Sequence, residues 1–322
     1  MRITTHKGCW GYTALLILAL QICCLGEATD QDAVAKAAAL FKAGKVKQAE
    51  SLLRAASAAD PNSADLHGAL GELLFNEHHY EDCIPELNVA VGMDPDSRKY
   101  TILLAEALIG TQRFGVAVDF LNNARSRFGG YFQLHYDLGL AYYFMHKIKE
   151  AQGEFEEAHR LSPDFDRAEF LIVGCLMAQG DSLKAAELLR KLVKEHPNNA
   201  VYWGRLGRTL EQLGGGNKAE AVRASHRALA LQPNDPHIQF DAGTVLAETG
   251  DFAAARPILE HLERSHPEIL AVHVQLARVY SRLGHRELAR KETAIMNRLQ
   301  QQSAPGNPSL PPEVPGDGSE AR

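Results

Sequence analysis

The chain has 322 residues, of which 45% are hydrophobic and 23% charged, with a net charge of −6. That is enough apolar material for a substantial core, and an acidic chain without a basic stripe argues against a nucleic-acid binder. Three of the five cysteines, Cys9, Cys23 and Cys24, precede residue 28. The remaining pair, Cys83 and Cys175, is too sparse for a disulfide framework and is expected as two buried free thiols. No Cys/His spacing resembles a zinc site.

The amino end reads as a secretory signal peptide over residues 1–28. Arg2 and Lys7 precede an apolar run from Ala14 to Leu25, and small residues follow at Gly26 and Ala28. The run is shorter than the roughly 20 apolar residues a spanning helix needs. Cleavage is expected after Ala28 or Gly26, leaving a secreted or periplasmic chain with no membrane span. Loss of Arg2, Lys7 and Glu27 takes the net charge to −7. Lipidation at Cys23 or Cys24 is the alternative, although Gln21 and Ile22 are bulkier than a bacterial lipoprotein signal usually carries.

Beyond residue 28 the sequence repeats. Pro61 and Pro95, Pro163 and Pro197, and Pro233 and Pro267 are each 34 residues apart, and Gly129 stands where the missing proline would fall. The step from Pro197 to Pro233 is 36, which the glycine cluster Gly214 to Gly216 accounts for as a loop insertion. Taken in chain order, eight repeats begin near residues 30, 64, 98, 132, 166, 200, 236 and 270. Each predicts two helices, the first carrying Gly or Ala at its eighth position (Gly71, Ala105, Gly139, Gly207, Gly243, Ala277). The second carries alanines such as Ala49, Ala117, Ala151 and Ala185, followed by large apolar residues such as Leu53, Leu87, Leu121, Phe155, Leu189 and Leu259. These positions recur at helical spacing and predict the packing between helices. Gly44, Gly180, Gly214, Gly250 and Gly284 mark the turn inside each hairpin. From about residue 302 to 322 the chain is rich in Pro, Gly and Ser without apolar periodicity, and a disordered tail is expected.

The stretch with Trp203, Leu206, Gly207, Leu210, Ala221, Ala228 and Pro233 resembles the tetratricopeptide repeat, as do those around Leu70-Gly71 and Leu138-Gly139. The resemblance covers nearly the whole chain after residue 28. It implies an all-α fold, a right-handed superhelical solenoid of antiparallel helix pairs spanning residues 29–301. It also implies a concave wall, made by the first helices, that binds a peptide segment of another protein. A phosphate-binding loop at Gly214 to Gly216 is excluded, since the run lacks the Walker pattern and follows a helix.

Reading the positions that should face that wall gives Phe75 beside Asp65, Glu72 and Glu106; an aromatic zone of Tyr136, Tyr143, Phe144, Phe170 and Met177; then Arg205, Arg208, Phe240 and Asp241, with Arg278 and Arg282 beyond. Aromatic residues and arginine carry much of the binding energy in interfaces. The expected partner is therefore a protein or peptide with an apolar or aromatic segment, its acidic group meeting Arg205 or Arg208. The Lys and Asn pattern of carboxyl-terminal peptide clamps is missing, as is the asparagine ladder of glycosyltransferase-linked repeats. No Ser/His/Asp or Cys/His set can be nominated, so the chain reads as a non-enzyme with no cofactor. Two alternatives stand beside the adaptor reading. One is a structural spacer in an envelope, secretion or pilus assembly. The other is a metal binder, for which Glu77, His78, His79, Glu81 and Asp82 cluster in a turn and His261 and His266 near a helix end. Self-association through the end repeats is a further interaction this architecture allows.

Overall fold

The computed structural model describes residues 30–302; the signal-peptide reading over 1–28 lies outside them, as does the tail reading over 302–322 but for Gln302, the last residue of the final helix. The chain divides into two compact units, one ending at Ser162 and the other starting at Pro163. Among the described residues each unit is built of four helical hairpins. The first holds α1 (30–42) and α2 (Val46–Ala59), α3 (Ala64–Asn76) and α4 (Tyr80–Met93), α5 (Arg98–Gly110) and α6 (Phe114–Phe128), and α7 (Phe132–Phe144) and α8 (Ile148–Leu161). The second holds α9 (Asp166–Ala178) and α10 (Ser182–Glu195), α11 (Ala200–Leu213) and α12 (Lys218–Leu231), α13 (Pro236–Thr249) and α14 (Phe252–Ser265), and α15 (Leu270–Arg282) and α16 (Arg286–Gln302). The 36-residue step is a short 3-10 turn, Gly215–Asn217, between α11 and α12, as the sequence leads one to expect.

Each hairpin begins and turns for local reasons. Ser63, Ser97, Asn199 and Asp235 cap α3, α5, α11 and α13 through their side-chain oxygens, and Pro236 supplies the preset first-turn φ of α13. The turn between the two helices needs a residue in the left-handed region. Gly44, Gly180, Gly214, Gly250 and Gly284 provide it, but His78, Gln112 and His146 stand at the same place in repeats two to four, with φ of 60°, 59° and 58°.

The glycines at position eight are there because the second helix presses on them. A Cβ on Gly71 would come 2.7 Å from Leu87, on Gly243 2.7 Å from Leu259, and on Gly207 2.5 Å from the Ser225 hydroxyl. Leu87 and Leu259 are fully buried, so the helix crossing is set by these pairs.

A second repeated device sits at position four of the first helix. There a side chain donates to the carbonyl six residues earlier, in the turn between repeats: His67 to Pro61 (3.2 Å), His135 to Gly129 (2.9 Å), Trp203 to Pro197 (2.9 Å), Gln239 to Pro233 (2.6 Å) and His273 to Pro267 (2.9 Å). The three histidines also meet a glutamate nineteen residues on: His67 and Glu86 (2.6 Å), His135 and Glu154 (2.7 Å), His273 and Glu292 (2.7 Å). At the fourth repeat, Arg125 holds the other oxygen of Glu154 at 2.5 Å. The hydrogen bond from His135 to Glu154 raises the imidazole pKa above its usual value. Burial alone would raise Glu154, but the bonds from His135 and Arg125 outweigh it and hold the carboxyl below the usual range.

Candidate functional site

In the first unit α3 packs on α5 and α5 packs on α7, so the first helices form one wall. On α1 and α3 the small side chains of Val34, Ala35, Ala38 and Ala69 line a hollow of about 270 Å3, with Gln31, Asp65, Glu72, Lys99 and Tyr100 supplying its polar groups. The absence of a side chain at Gly68 lets the Tyr100 ring settle here, since a Cβ would sit 2.2 Å from it. The ring lies over Gly68 and donates its hydroxyl to Asp65 at 3.0 Å. Burial, followed by the Asp65 carboxylate, pushes the Tyr100 hydroxyl pKa well up, so it stays a donor. Lys99 reaches Glu72 at 2.6 Å. Two carboxylates and one ammonium make the rim net acidic.

Further along the same wall the surface closes. Gln133 donates to both Glu106 and Asp137, each at 3.1 Å. Asp137 is 1% exposed, and burial, with Glu106 adding to it, raises its carboxyl well above the usual range.

The aromatic zone expected from the sequence is divided between the units, and two of its members are core residues. Tyr136 is 4% exposed with its ring against Phe155, 6.0 Å between centroids. Phe170 is 5% exposed and stacked on Tyr202 at 5.0 Å. Both stand at position five, where a large ring lowers its energy by turning into the helix seam. Neither presents a face to a peptide. Phe75 is half-buried, edge-on to Tyr80 at 5.2 Å. Phe144 stacks on Phe114 at 5.1 Å, and Tyr143 meets Phe144 edge-on at 6.2 Å; both keep partial exposure.

In the second unit Met177 accepts from the Thr209 hydroxyl at 3.8 Å, and Phe240 packs on the core of α14 and α15. Arg205 is half-buried. Arg208 is not the open anion site the sequence suggests, since it already meets Glu211 at 3.0 Å and Asp241 at 3.4 Å. Arg278 is likewise paired with Glu248. Burial raises the Glu211 carboxyl, with Arg208 opposing that shift and Glu248 adding to it. Arg208 and Arg278 are therefore each neutralised by carboxylates of this unit.

Glu77, His78, His79, Glu81 and Asp82 lie exposed around the turn between α3 and α4, and Glu81 pairs with Arg113 on the next hairpin. Cys83 and Cys175 are buried free thiols, as expected, and burial pushes the Cys83 thiol up to about 11. Sequence reading missed the position-four clasp and its histidine–glutamate pairs. The signal was there in the recurrence of His and Glu nineteen apart, at His67, His135 and His273.

Among the described residues no helix is long and apolar enough to cross a membrane. Family models for the tetratricopeptide repeat match residues 40–107, 145–208 and 206–268. A relative, Cellulose synthase operon protein C of Pseudomonas fluorescens, is 30% identical over 144 residues, a match covering 41% of this chain and 11% of that protein. This chain therefore spans only about a ninth of the relative's length. A tetratricopeptide repeat protein from Parabacteroides merdae is similar in structure with a TM-score of 0.63 and 13% identity, over 78% of this chain and 99% of that one. Pseudomonas aeruginosa pilF follows with a TM-score of 0.54 and 20% identity, over 66% and 96%. The regular 34-residue hairpins, the glycine-to-leucine crossings and the matches along most of the described residues agree: this chain belongs to the tetratricopeptide repeat family.

Proposed function

We propose that this chain is a non-enzymatic scaffold that binds a peptide segment of a partner protein along the wall of its first helices. The observation that carries the reading is the hollow beside α1 and α3, an apolar floor with hydrogen-bonding groups at its edge. Such a surface holds one bulky apolar side chain while Asp65 and Glu72 orient the flanking backbone or a basic neighbour. The peptide-binding region thus centres on the first repeats. Tyr143 and Phe144, still partly exposed, extend the apolar surface of the same unit. The signal-like residues 1–28 support action outside the cytoplasm, in the periplasm or beyond the cell.

The test is photocrosslinking in cells from a probe at Ala69, with matched probes at Tyr143 and at exposed Glu156 on α8. One partner captured at Ala69, absent at Glu156, and lost when Ala38→Trp fills the hollow, supports the scaffold. Equal capture from Glu156, or capture indifferent to Ala38→Trp, favours a structural spacer that uses its outer face. The intact mass of the recovered chain, lacking residues 1–28 or 1–26, checks the export reading.

A further inference from the structure

Among the described residues the histidine–glutamate pair occurs three times, and only the third has a further carboxylate oxygen within 4.8 Å of both partners. Ten residues before each histidine the chain places a different side chain: Ser57 before His67, Arg125 before His135 and Glu263 before His273. At His135, Glu154 receives two cationic donors, Arg125 on one oxygen and the imidazole on the other. At His273 the arginine's place is taken by a carboxylate. Oxygen atoms of Glu263 and Glu292 and a ring nitrogen of His273 all lie within 4.8 Å of one another. The His273 and Glu292 side chains are 1% and 5% exposed. The adjoining Glu260 is held separately, accepting from the Tyr280 hydroxyl at 3.0 Å.

We propose that Glu263, His273 and Glu292 bind a divalent first-row transition-metal ion, joining α14, α15 and α16. Two carboxylates around one imidazole carry a charge of −2 that a proton on the ring offsets only by half, whereas a divalent cation with a neutral imidazole balances it. The Nε2–H bond to the Pro267 carbonyl fixes Nε2 as a donor, the outer-shell arrangement that metal-ligating histidines use. Nδ1, hydrogen-bonded to Glu292, is then the nitrogen a cation takes when it displaces the proton shared with that carboxylate. One imidazole nitrogen and two carboxylate oxygens suit zinc and its neighbours in the series better than magnesium, which prefers an all-oxygen octahedron. The 2.7 Å between Nδ1 and Oε2 has to widen by about half an ångström when a cation at about 2.0–2.1 Å from each replaces the shared proton. His273 and Glu292 lie on separate helices, α15 and α16, so the widening is not opposed by a shared backbone turn.

The experiment is calorimetric titration of Zn2+ into the mature chain carrying no affinity-tag histidines, with Mg2+ as control, alongside thermal unfolding with and without EDTA. One saturable zinc site and a zinc-dependent rise in Tm are expected, with no comparable response to Mg2+. Glu263→Gln should weaken binding about tenfold or more, and His273→Gln should abolish it. The latter variant should fold, because Gln239 makes the same clasp to Pro233 in the preceding repeat. His135→Gln should leave the titration unchanged. Absence of stoichiometric zinc binding, persistence of the site in His273→Gln, undiminished affinity in Glu263→Gln, or an equal loss in His135→Gln would overturn the assignment.

Discussion

The Phe155 ring lies against Gly139 so closely that a Cβ there would be 2.5 Å from two ring carbons. Phe155 is fully buried and has nowhere to go. Gly139→Ala should therefore cost about 1–3 kcal/mol through overpacking. Gly68→Ala makes a nominally worse clash with Tyr100, but that ring is only half-buried and can swing out of the hollow. The second variant should be the milder of the two in denaturant unfolding. Equal midpoints would mean that the α7–α8 crossing is softer than its packing indicates.

The hairpin turns give a pair of opposite substitutions. Gly180 has φ of +81° and open space where a methyl group would stand, so Gly180→Ala should cost about 1 kcal/mol from backbone conformation alone. Gln112 holds φ of 59° with a side chain that disfavours it, and Gln112→Gly should be neutral or stabilising by up to about 1 kcal/mol. The urea midpoint should fall for Gly180→Ala and hold or rise for Gln112→Gly.

The His135–Glu154 pair should make stability depend on pH from both sides. The raised His135 pKa means that the folded state holds its proton more tightly. Its contribution is complete below the ordinary value of 6.5 and fades as pH rises through the folded value. The lowered Glu154 pKa contributes above the ordinary value of 4.5 and is lost as pH falls through its folded value. The stability difference between wild type and His135→Gln should peak between these two values and shrink above neutral. A difference that grows toward alkaline pH would contradict the pairing.

Cys83 should resist alkylation in the folded chain. Its thiol is pushed up to about 11 by burial and donates to the Tyr80 carbonyl at 3.2 Å. Brief maleimide exposure at neutral pH followed by mass mapping should leave Cys83 unlabelled until denaturant is added. Rapid labelling of the native protein would show that α4 opens locally.

Most of the architecture was legible because it rests on residues with a single reason to be where they are. Gly71, Gly139 and Gly243 recur because each meets a large side chain of the second helix, and that regularity survives any change of partner. The turn was only half legible: His78, Gln112 and His146 occupy a left-handed site without the glycine that announces it. The groove was least legible, since position five is decided by size. Val34 lines the hollow and Gly68 gives its place to the Tyr100 ring, whereas Tyr136 and Phe170 turn their own rings into the core. Arg208 illustrates the same limit for charge: its partners Glu211 and Asp241 come from its own helix and the next first helix, and only geometry brings them together.

The clasp at position four also bears on the order in which the chain assembles. Trp203 reaches back six residues to Pro197, the histidine–glutamate pairs span nineteen, and Tyr100 and Asp65 span thirty-five. Bonds of this reach close small loops, and chains dominated by short-range closure fold quickly because little entropy is lost before contacts form. A nucleus can start at any hairpin and grow by adding the next, so a nascent chain can begin to order before its carboxyl half has been made.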